Sequence, residues 1–176
     1  MIIKGCLEDK GINYIIRDCE EKDIPGVTRV VTISWGETYR GLIDDAEIDK
    51  LPITEDERTK RALERFRNGG KQFVLEINNE IVGFSRYGKS EDPEFNNCGE
   101  IFAFYMIGKY HGLGLGRKLF EITRDELKKL GFDKMIIACL KGNPTNTFYE
   151  HMGGKYIKDG IFTRLNLQEN IYYYDI

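Results

Sequence analysis

The chain has 176 residues, of which 41% are apolar and 31% charged, and a formal net charge of −3. This balance fits one soluble globular domain with a substantial core, and the small negative charge offers nucleic acid or an anionic membrane no whole-protein attraction. No apolar run approaches the about 18 residues that cross a bilayer, and the start, Met1 to Cys6, lacks the long apolar region of a signal peptide.

Residues 1–12 are mixed in character and form an N-terminal extension of uncertain structure. Asn13 to Asp18 reads as a short strand. From Glu20 to Arg40, Ile24, Val27, Val30, Val31, Ser34 and Trp35 recur at helical spacing, with Pro25 near the start, where proline is tolerated. Leu42 to Pro52 reads as a loop or a short helical turn. Thr54 and Glu57 have the spacing of a capping box, so a helix is expected from there to Arg67, stopped by Asn68-Gly69-Gly70. Gln72 to Ile77 and Glu80 to Tyr87 read as a strand pair around a tight Asn78-Asn79 turn. Ser90 to Asn97, with Pro93, is a loop.

Cys98 to Ile107 is the next strand, apolar on both faces from Ile101, as a central, doubly covered strand should be. The helix after it carries Leu119, Thr123, Leu127 and Leu130 on one stripe, with Lys118, Glu121, Asp125 and Lys129 free to face water, and ends at Gly131. Asp133 to Leu140 is a strand. Pro144 to Met152 is a short helix with Asn143 as N-cap. Residues 154–163 and 169–176 make two last strands. The tail from Asn170 to Ile176 is rich in aromatic β-formers, and at a sheet edge it would want a cover, so pairing with a second copy is expected.

Cys6, Cys19, Cys98 and Cys139 are scattered without a C-x-x-C pair. With only His111 and His151 besides, no metal site is expected, and free thiols in a reducing cytoplasm are the simplest reading.

The segment from His111 to Arg117, HGLGLGR, carries the most chemistry. It joins the apolar strand to the amphipathic helix. Glycines at alternate positions let the backbone turn tightly, and a helix start adds unpaired N–H donors and the positive end of a dipole. Together they make a cradle for a phosphate or pyrophosphate. It is not a P-loop, because no Gly-Lys-Ser/Thr occurs. Nor is it a dinucleotide fingerprint: counted from Gly112, the position of the third glycine is Arg117.

These residues resemble the GNAT superfamily of N-acetyltransferases, from about Tyr14 to the C-terminus. That family's loop signature, Gln/Arg-x-x-Gly-x-Gly/Ala, corresponds to His111-x-x-Gly114-x-Gly116. The segment Asn143 to Gly154, NPTNTFYEHMGG, resembles a second signature typical of bacterial members. The resemblance implies an α/β (α+β) fold: a mixed, mostly antiparallel, twisted sheet of about seven strands flanked by about four helices. It also implies acetyl-coenzyme A as acetyl donor. The pyrophosphate would be held by the backbone of Gly112, Leu113, Gly114, Leu115, Gly116 and Arg117. Phe104, Tyr105 and Met106 would lie along the pantetheine arm. His111 stands where Gln or Arg is usual; a neutral imidazole adds little attraction to phosphate, and Arg117 could supply the charge. His111 is then either a loop ligand or simply a surface residue.

Acetyl transfer to an amine needs a neutral amine, a base to take its proton, a donor for the oxyanion and a proton for the departing thiolate. In the family an N–H at the position of Phe104 faces the oxyanion. Tyr149 matches the tyrosine that protonates the sulfur. Asn143 matches an asparagine on the pantetheine arm, and Asn146 lies in the same coenzyme-binding segment. Glu100 is the candidate base. It has the spacing from Phe104 of the catalytic glutamate in the histone-acetyltransferase branch, and period two puts Glu100, Phe102, Phe104 and Met106 on one face. A solvated strand end, or a water chain in place of Glu100, is the alternative. On the acceptor side the first two helices form the wall in the family, which points to Trp35 and Tyr39, with Glu37 and Arg40 beside them; a core Trp35 at a plain helix end is the alternative. Glu37, Asp44 and Asp45 could attract a cationic amine, or form only a solvated face.

The expected activity is therefore transfer of an acetyl group to a small-molecule primary amine by direct attack in a ternary complex, since Cys139 lies outside both motifs. Alternatives are a protein lysine or another acyl group as substrate, or a non-catalytic acyl-coenzyme A sensor. No nucleic-acid or membrane partner is expected.

Overall fold

A computed structural model describes residues 1–176. Its eight strands form one mostly antiparallel sheet in the order β1-β2-β3-β4-β5-β6-β8-β7, accompanied by five α-helices. The architecture is the mixed α/β one expected, with one strand and one helix more than anticipated. The chain divides into two units, residues 1–86 with 103–120 and residues 87–102 with 121–176.

In the first unit the opening residues are not an extension. They form β1 (Ile2–Leu7), which pairs antiparallel with β2 (Ile12–Asp18). Gly11 closes the turn at φ +62. The Tyr14 ring lies over Gly5, where a Cβ would come within 2.3 Å of it. β2 also pairs with β3 (Lys71–Ile77). β3 turns into β4 (Glu80–Lys89) through Asn78 and Asn79 at φ 52 and 62, the left-handed pair that a two-residue hairpin demands.

Helix α1 (Ile24–Thr38) starts with Pro25 in its first turn. Just before it, Glu20 and Asp23 cap each other reciprocally. Arg17 reaches from β2 to both Asp23 (2.6 Å) and Glu76 (2.7 Å), so the helix entry is bolted to β2 and β3. Ile24, Val27, Val30 and Trp35 are buried, as the spacing requires.

Two local readings need correction. Leu42 to Pro52, read as a loop or a short helical turn, holds a full helix instead: α2 spans Asp45–Ile53, with Asp44 accepting from the Ala46 N–H (2.9 Å) and Ile48 and Leu51 buried. Pro52 has no N–H to give the Ile48 carbonyl, and the helix ends one residue later. Thr54 makes no capping box for α3 (Glu55–Arg67). Its hydroxyl donates back to the Lys50 carbonyl (2.9 Å) at the end of α2. α3 buries no residue fully. Polar groups attach it instead: Arg58 reaches Thr32 and the Leu51 carbonyl, and Arg67 reaches Glu21.

In the second unit β5 (Gly99–Met106) pairs parallel with β6 (Lys134–Leu140) over Gly99–Ile101 against Met135–Ile137. β6 pairs with β8 (Leu167–Asp175), and β8 with β7 (Lys155–Phe162), which has a register shift between Tyr156 and Lys158. The aromatic tail is therefore interior to the sheet, and the edge belongs to β7. The premise for pairing copies through the tail does not hold. Helix α4 (Leu115–Lys129) buries Leu119, Thr123 and Leu127, but Leu130 is 39% exposed, because Gly131 (φ +94) has already ended the helix. Gly99 is needed beneath it: a Cβ there would come within 2.9 Å of Leu127. Helix α5 spans Thr145–His151. All four cysteines are free thiols.

Candidate functional site

The glycine segment lies in the first unit, built from the end of β5, a tight turn and the start of α4. At the end of β5 the Ile107 N–H donates to the Val82 carbonyl (2.9 Å). Phe104 meets Phe120 edge-on at 6.0 Å, and Tyr105 lies against Phe84 at 5.8 Å. Main-chain groups of β5 beyond Ile101 fall outside the pairing with β6. A single turn over Gly108–Tyr110 follows, with the His111 N–H on the Gly108 carbonyl (2.9 Å).

Gly112 and Gly114 then sit at φ +74 and +75. Nothing lies within 4 Å of a Cβ at either, so glycine is required by the dihedral alone. The first helical bond of α4 runs from the Lys118 N–H to the Gly114 carbonyl (3.2 Å). The N–H groups of Leu115, Gly116 and Arg117 precede that ladder and carry the helix's positive end. Leu115, Leu119 and Phe120 are fully buried and anchor the helix start, while Gly112, Gly114 and Arg117 are exposed. The arrangement suits an anion held by backbone amides, with Arg117 at hand as a charge.

His111 turns back rather than outward. Its Nε2 lies 2.9 Å from the Met106 carbonyl. A carbonyl only accepts, so the neutral ring must carry its proton on Nε2. The ring clasps the turn across its base.

The acceptor-side candidates are interior, as the place of Trp35 on the apolar stripe of α1 requires. Trp35 and Tyr39 are 6% and 7% exposed and pack edge-to-face at 5.1 Å. The acidic residues nearby are engaged: Asp44 caps α2, Asp45 and Asp49 pair with Arg40 (3.3 and 2.6 Å), and Glu37 accepts from the Gly108 N–H (2.7 Å).

The remaining candidates lie in the second unit. Glu100, near the start of β5, accepts from the Ser90 hydroxyl (2.7 Å). Burial, and then the charge of Glu100, hold the Glu169 carboxyl above its ordinary value. The register puts both carboxyls on one sheet face: Glu100 faces Ile136, Ile136 faces Tyr173, and Glu169 lies four residues before Tyr173. Neither Ser90 nor Glu169 was singled out from sequence. A serine in a polar loop and one glutamate in a polar strand give no periodic signal.

Asn143 is buried, and its Oδ1 accepts from the Thr145 N–H (2.8 Å), which makes it the cap that starts α5. Asn146 is fully committed. Its amide donates to the carbonyls of Leu140 (2.9 Å) and Asn143 (2.7 Å), and its oxygen accepts from Asn170 (3.0 Å) and Tyr172 (2.9 Å). Tyr149 is 4% exposed, with its ring against Phe148 and Tyr172. The Gly153-Gly154 pair has separate reasons. Gly153 ends α5 at φ +92, and a Cβ on Gly154 would lie 2.6 Å from the Tyr174 hydroxyl. Cys139 is buried, and burial followed by the Glu169 charge pushes its thiol up to about 12.

An acetyltransferase (GNAT) family model matches residues 28–153, which takes in both the glycine segment and α5. The chain belongs to that family. Among curated proteins, this GNAT chain is 25% identical over 137 residues to the uncharacterised N-acetyltransferase YuaI of Bacillus subtilis (strain 168), covering 77% of this chain and 76% of that one. Its fold matches the PaiA N-acetyltransferase of Thermoplasma acidophilum in complex with coenzyme A, with a TM-score of 0.74, 17% identity, and 93% and 99% of the two chains covered. It also matches YncA, a putative acetyltransferase from Salmonella typhimurium with its cofactor acetyl-CoA, with a TM-score of 0.64, 19% identity, and 92% and 93% covered. No helix is long and apolar enough to cross a membrane.

Proposed function

We propose that this GNAT-family chain transfers an acetyl group from acetyl-coenzyme A to a small-molecule primary amine, by direct attack in a ternary complex. The observation that carries the reading is the pair of left-handed glycines, Gly112 and Gly114, opening directly onto the unladdered amides of α4. That arrangement fits a pyrophosphate. Two structures that share the fold hold coenzyme A or acetyl-coenzyme A.

Backbone N–H groups from Gly112 to Arg117 would hold the pyrophosphate, with the main chain of Phe104, Tyr105 and Met106 along the pantetheine arm. In this reading the Phe104 N–H faces the developing oxyanion. His111 holds the turn through the Met106 carbonyl, and Arg117 carries the positive charge. Asn143 serves the pantetheine arm while capping α5, and Asn146 acts through α5, because its hydrogen-bonding capacity is spent. Trp35 and Tyr39 shape the acceptor wall from beneath rather than by broad contact.

Glu100 is proposed as the base that takes the amine's proton, steadied by Ser90. Tyr149 is proposed as the acid that protonates the departing thiolate. Direct attack is favoured because Cys139 is buried with its thiol held in the neutral form. A sensor that binds acyl-coenzyme A without turnover would not need Tyr149 as an acid. The four free thiols support a reducing, cytoplasmic setting, and the whole chain is taken to work as one domain.

The test is calorimetric titration with acetyl-coenzyme A, beside an analogue lacking the pyrophosphate, followed by an amine panel read by thiol release. Saturable binding that depends on the pyrophosphate, then turnover with an amine, is expected. Binding without turnover on any amine or peptide would favour the sensor. Absence of binding would overturn the reading.

A further inference from the structure

We infer that Glu37 is a positioning residue for the coenzyme loop, acting through the Gly108 amide; this rests on the coenzyme reading of that loop. Glu37 lies in the last turn of α1, and its carboxylate accepts from the Gly108 N–H at 2.7 Å across 71 residues of sequence. Gly108 is the first residue of the turn that leads from β5 into the glycine segment.

Three observations make the contact purposeful. A hydrogen bond to a carboxylate is about twice as strong as a neutral one, and this one meets Gly108 at the point where its own carbonyl already receives the His111 N–H (2.9 Å). The same residue is therefore held from both sides. Gly108 is not a glycine for its dihedral, since it is absent from the left-handed positions. A Cβ there would stand 2.9 Å from Glu37 Oε2, so any side chain at 108 would push the carboxylate off the amide. Finally, the bonded amide lies only four residues before Gly112, the first left-handed glycine of the segment.

Sequence patterning groups Glu37 with acidic residues able to attract a cationic amine. The structure commits its carboxylate to a backbone amide instead. The consequence is a direct link from the helix end that carries Trp35 and Tyr39 to the turn that sets the loop. In the free protein the link holds the loop in its binding shape, so ordering costs less when coenzyme arrives.

The experiment is calorimetric titration of coenzyme A into wild type, E37A, E37Q, G108A and the E37A/G108A double variant, with thermal midpoints and Gly108 amide exchange recorded without ligand. Wild type should bind. E37A should bind roughly tenfold more weakly, raise KM for acetyl-coenzyme A, and leave kcat little changed. E37Q, whose amide oxygen can accept the same bond, should recover most of the affinity. G108A should resemble E37A, because its methyl displaces the carboxylate, and the double variant should be no weaker than the worse single one. The Gly108 amide should exchange slowly in wild type and E37Q and quickly in E37A. Unchanged or tighter binding in E37A, equal losses in E37A and E37Q, or additive losses in the double variant would overturn the inference. If wild type fails to bind coenzyme A, the coenzyme reading falls and this role falls with it, even if the exchange data show the hydrogen bond intact.

Discussion

The Tyr174 hydroxyl donates to the Tyr149 carbonyl at 2.9 Å, joining the C-terminal strand to the middle of α5. Burial raises the Tyr174 phenol above its ordinary value, so it remains a donor throughout the physiological range. The Gly154 N–H reaches the same carbonyl at 3.0 Å, and only a residue without a Cβ fits there. Tyr174→Phe should therefore cost about 1–2 kcal/mol in denaturant unfolding. Gly154→Ala should cost about 2–3 kcal/mol, since one of the atoms it strikes is backbone and cannot swing away. Both should lower kcat through Tyr149. Full activity in a destabilised Gly154→Ala protein would detach Tyr149 from the chemistry.

Glu169 and Glu100 make a second prediction, in pH. A carboxyl held above its ordinary value binds its proton more tightly folded than unfolded. Ionised Glu169 therefore weakens the fold at high pH, and the penalty vanishes below the unfolded value of about 4.3. Glu169→Gln should raise Tm near neutral pH and above, and leave it unchanged in acid. If Glu100 is the base, removing the neighbouring charge should also move the acid limb of kcat/KM to lower pH. Glu100→Gln should lower the rate chiefly toward low pH, where the amine is most protonated. Superimposable profiles for wild type and Glu100→Gln would hand the base role to a water chain.

Strain at the glycine loop can be tested without steric confusion. Alanine at Gly112 or Gly114 meets no neighbour, so its effect is the dihedral penalty alone, about 1–2 kcal/mol. Each substitution should weaken acetyl-coenzyme A binding by roughly that amount or cost it in stability. Calorimetry and thermal melts together should account for the whole penalty, and alanine variants matching wild type in both would mean that the loop is free to leave the left-handed conformation.

Acid stability should depend on Arg17. Burial alone would raise Asp23, but hydrogen bonds from Arg17 and the Glu20 N–H, with the Arg17 charge, bring it below its ordinary value. A lowered carboxyl contributes stability that is complete above the unfolded value of about 3.9 and is lost as pH falls through the folded value. Asp23→Ala should cost about 1–3 kcal/mol at neutral pH, because half-buried Arg17 loses one of its two carboxylate partners and keeps Glu76. The deficit should shrink in acid. A constant deficit across pH would assign the cost to packing.

Cys139→Ser should keep measurable turnover, since a thiol pushed up to about 12 is no nucleophile at neutral pH. Abolished turnover with intact coenzyme binding would revive a covalent route.

Much of this protein was determined by sequence alone, for a local reason. Left-handed glycines at Gly112, Gly114, Gly131 and Gly153, and the asparagine pair at 78–79, answer to dihedral limits that any chain must obey. Helix and strand periods then follow from which face must be dry, and the loop-plus-α5 pattern marked the family. What the tertiary structure alone decided were partners distant in sequence. Aromatic β-formers mark 169–176 as a strand but do not say that it lies inside the sheet, because pairing order depends on which edges meet. Thr54 has a capping residue's spacing, yet its hydroxyl turned to the Lys50 carbonyl already beside it. Glu37 and Asn146 have the residue types of ligand contacts. Packing brought a backbone amide to one and four hydrogen-bond partners to the other, and a polar group takes the partner that folding puts within reach.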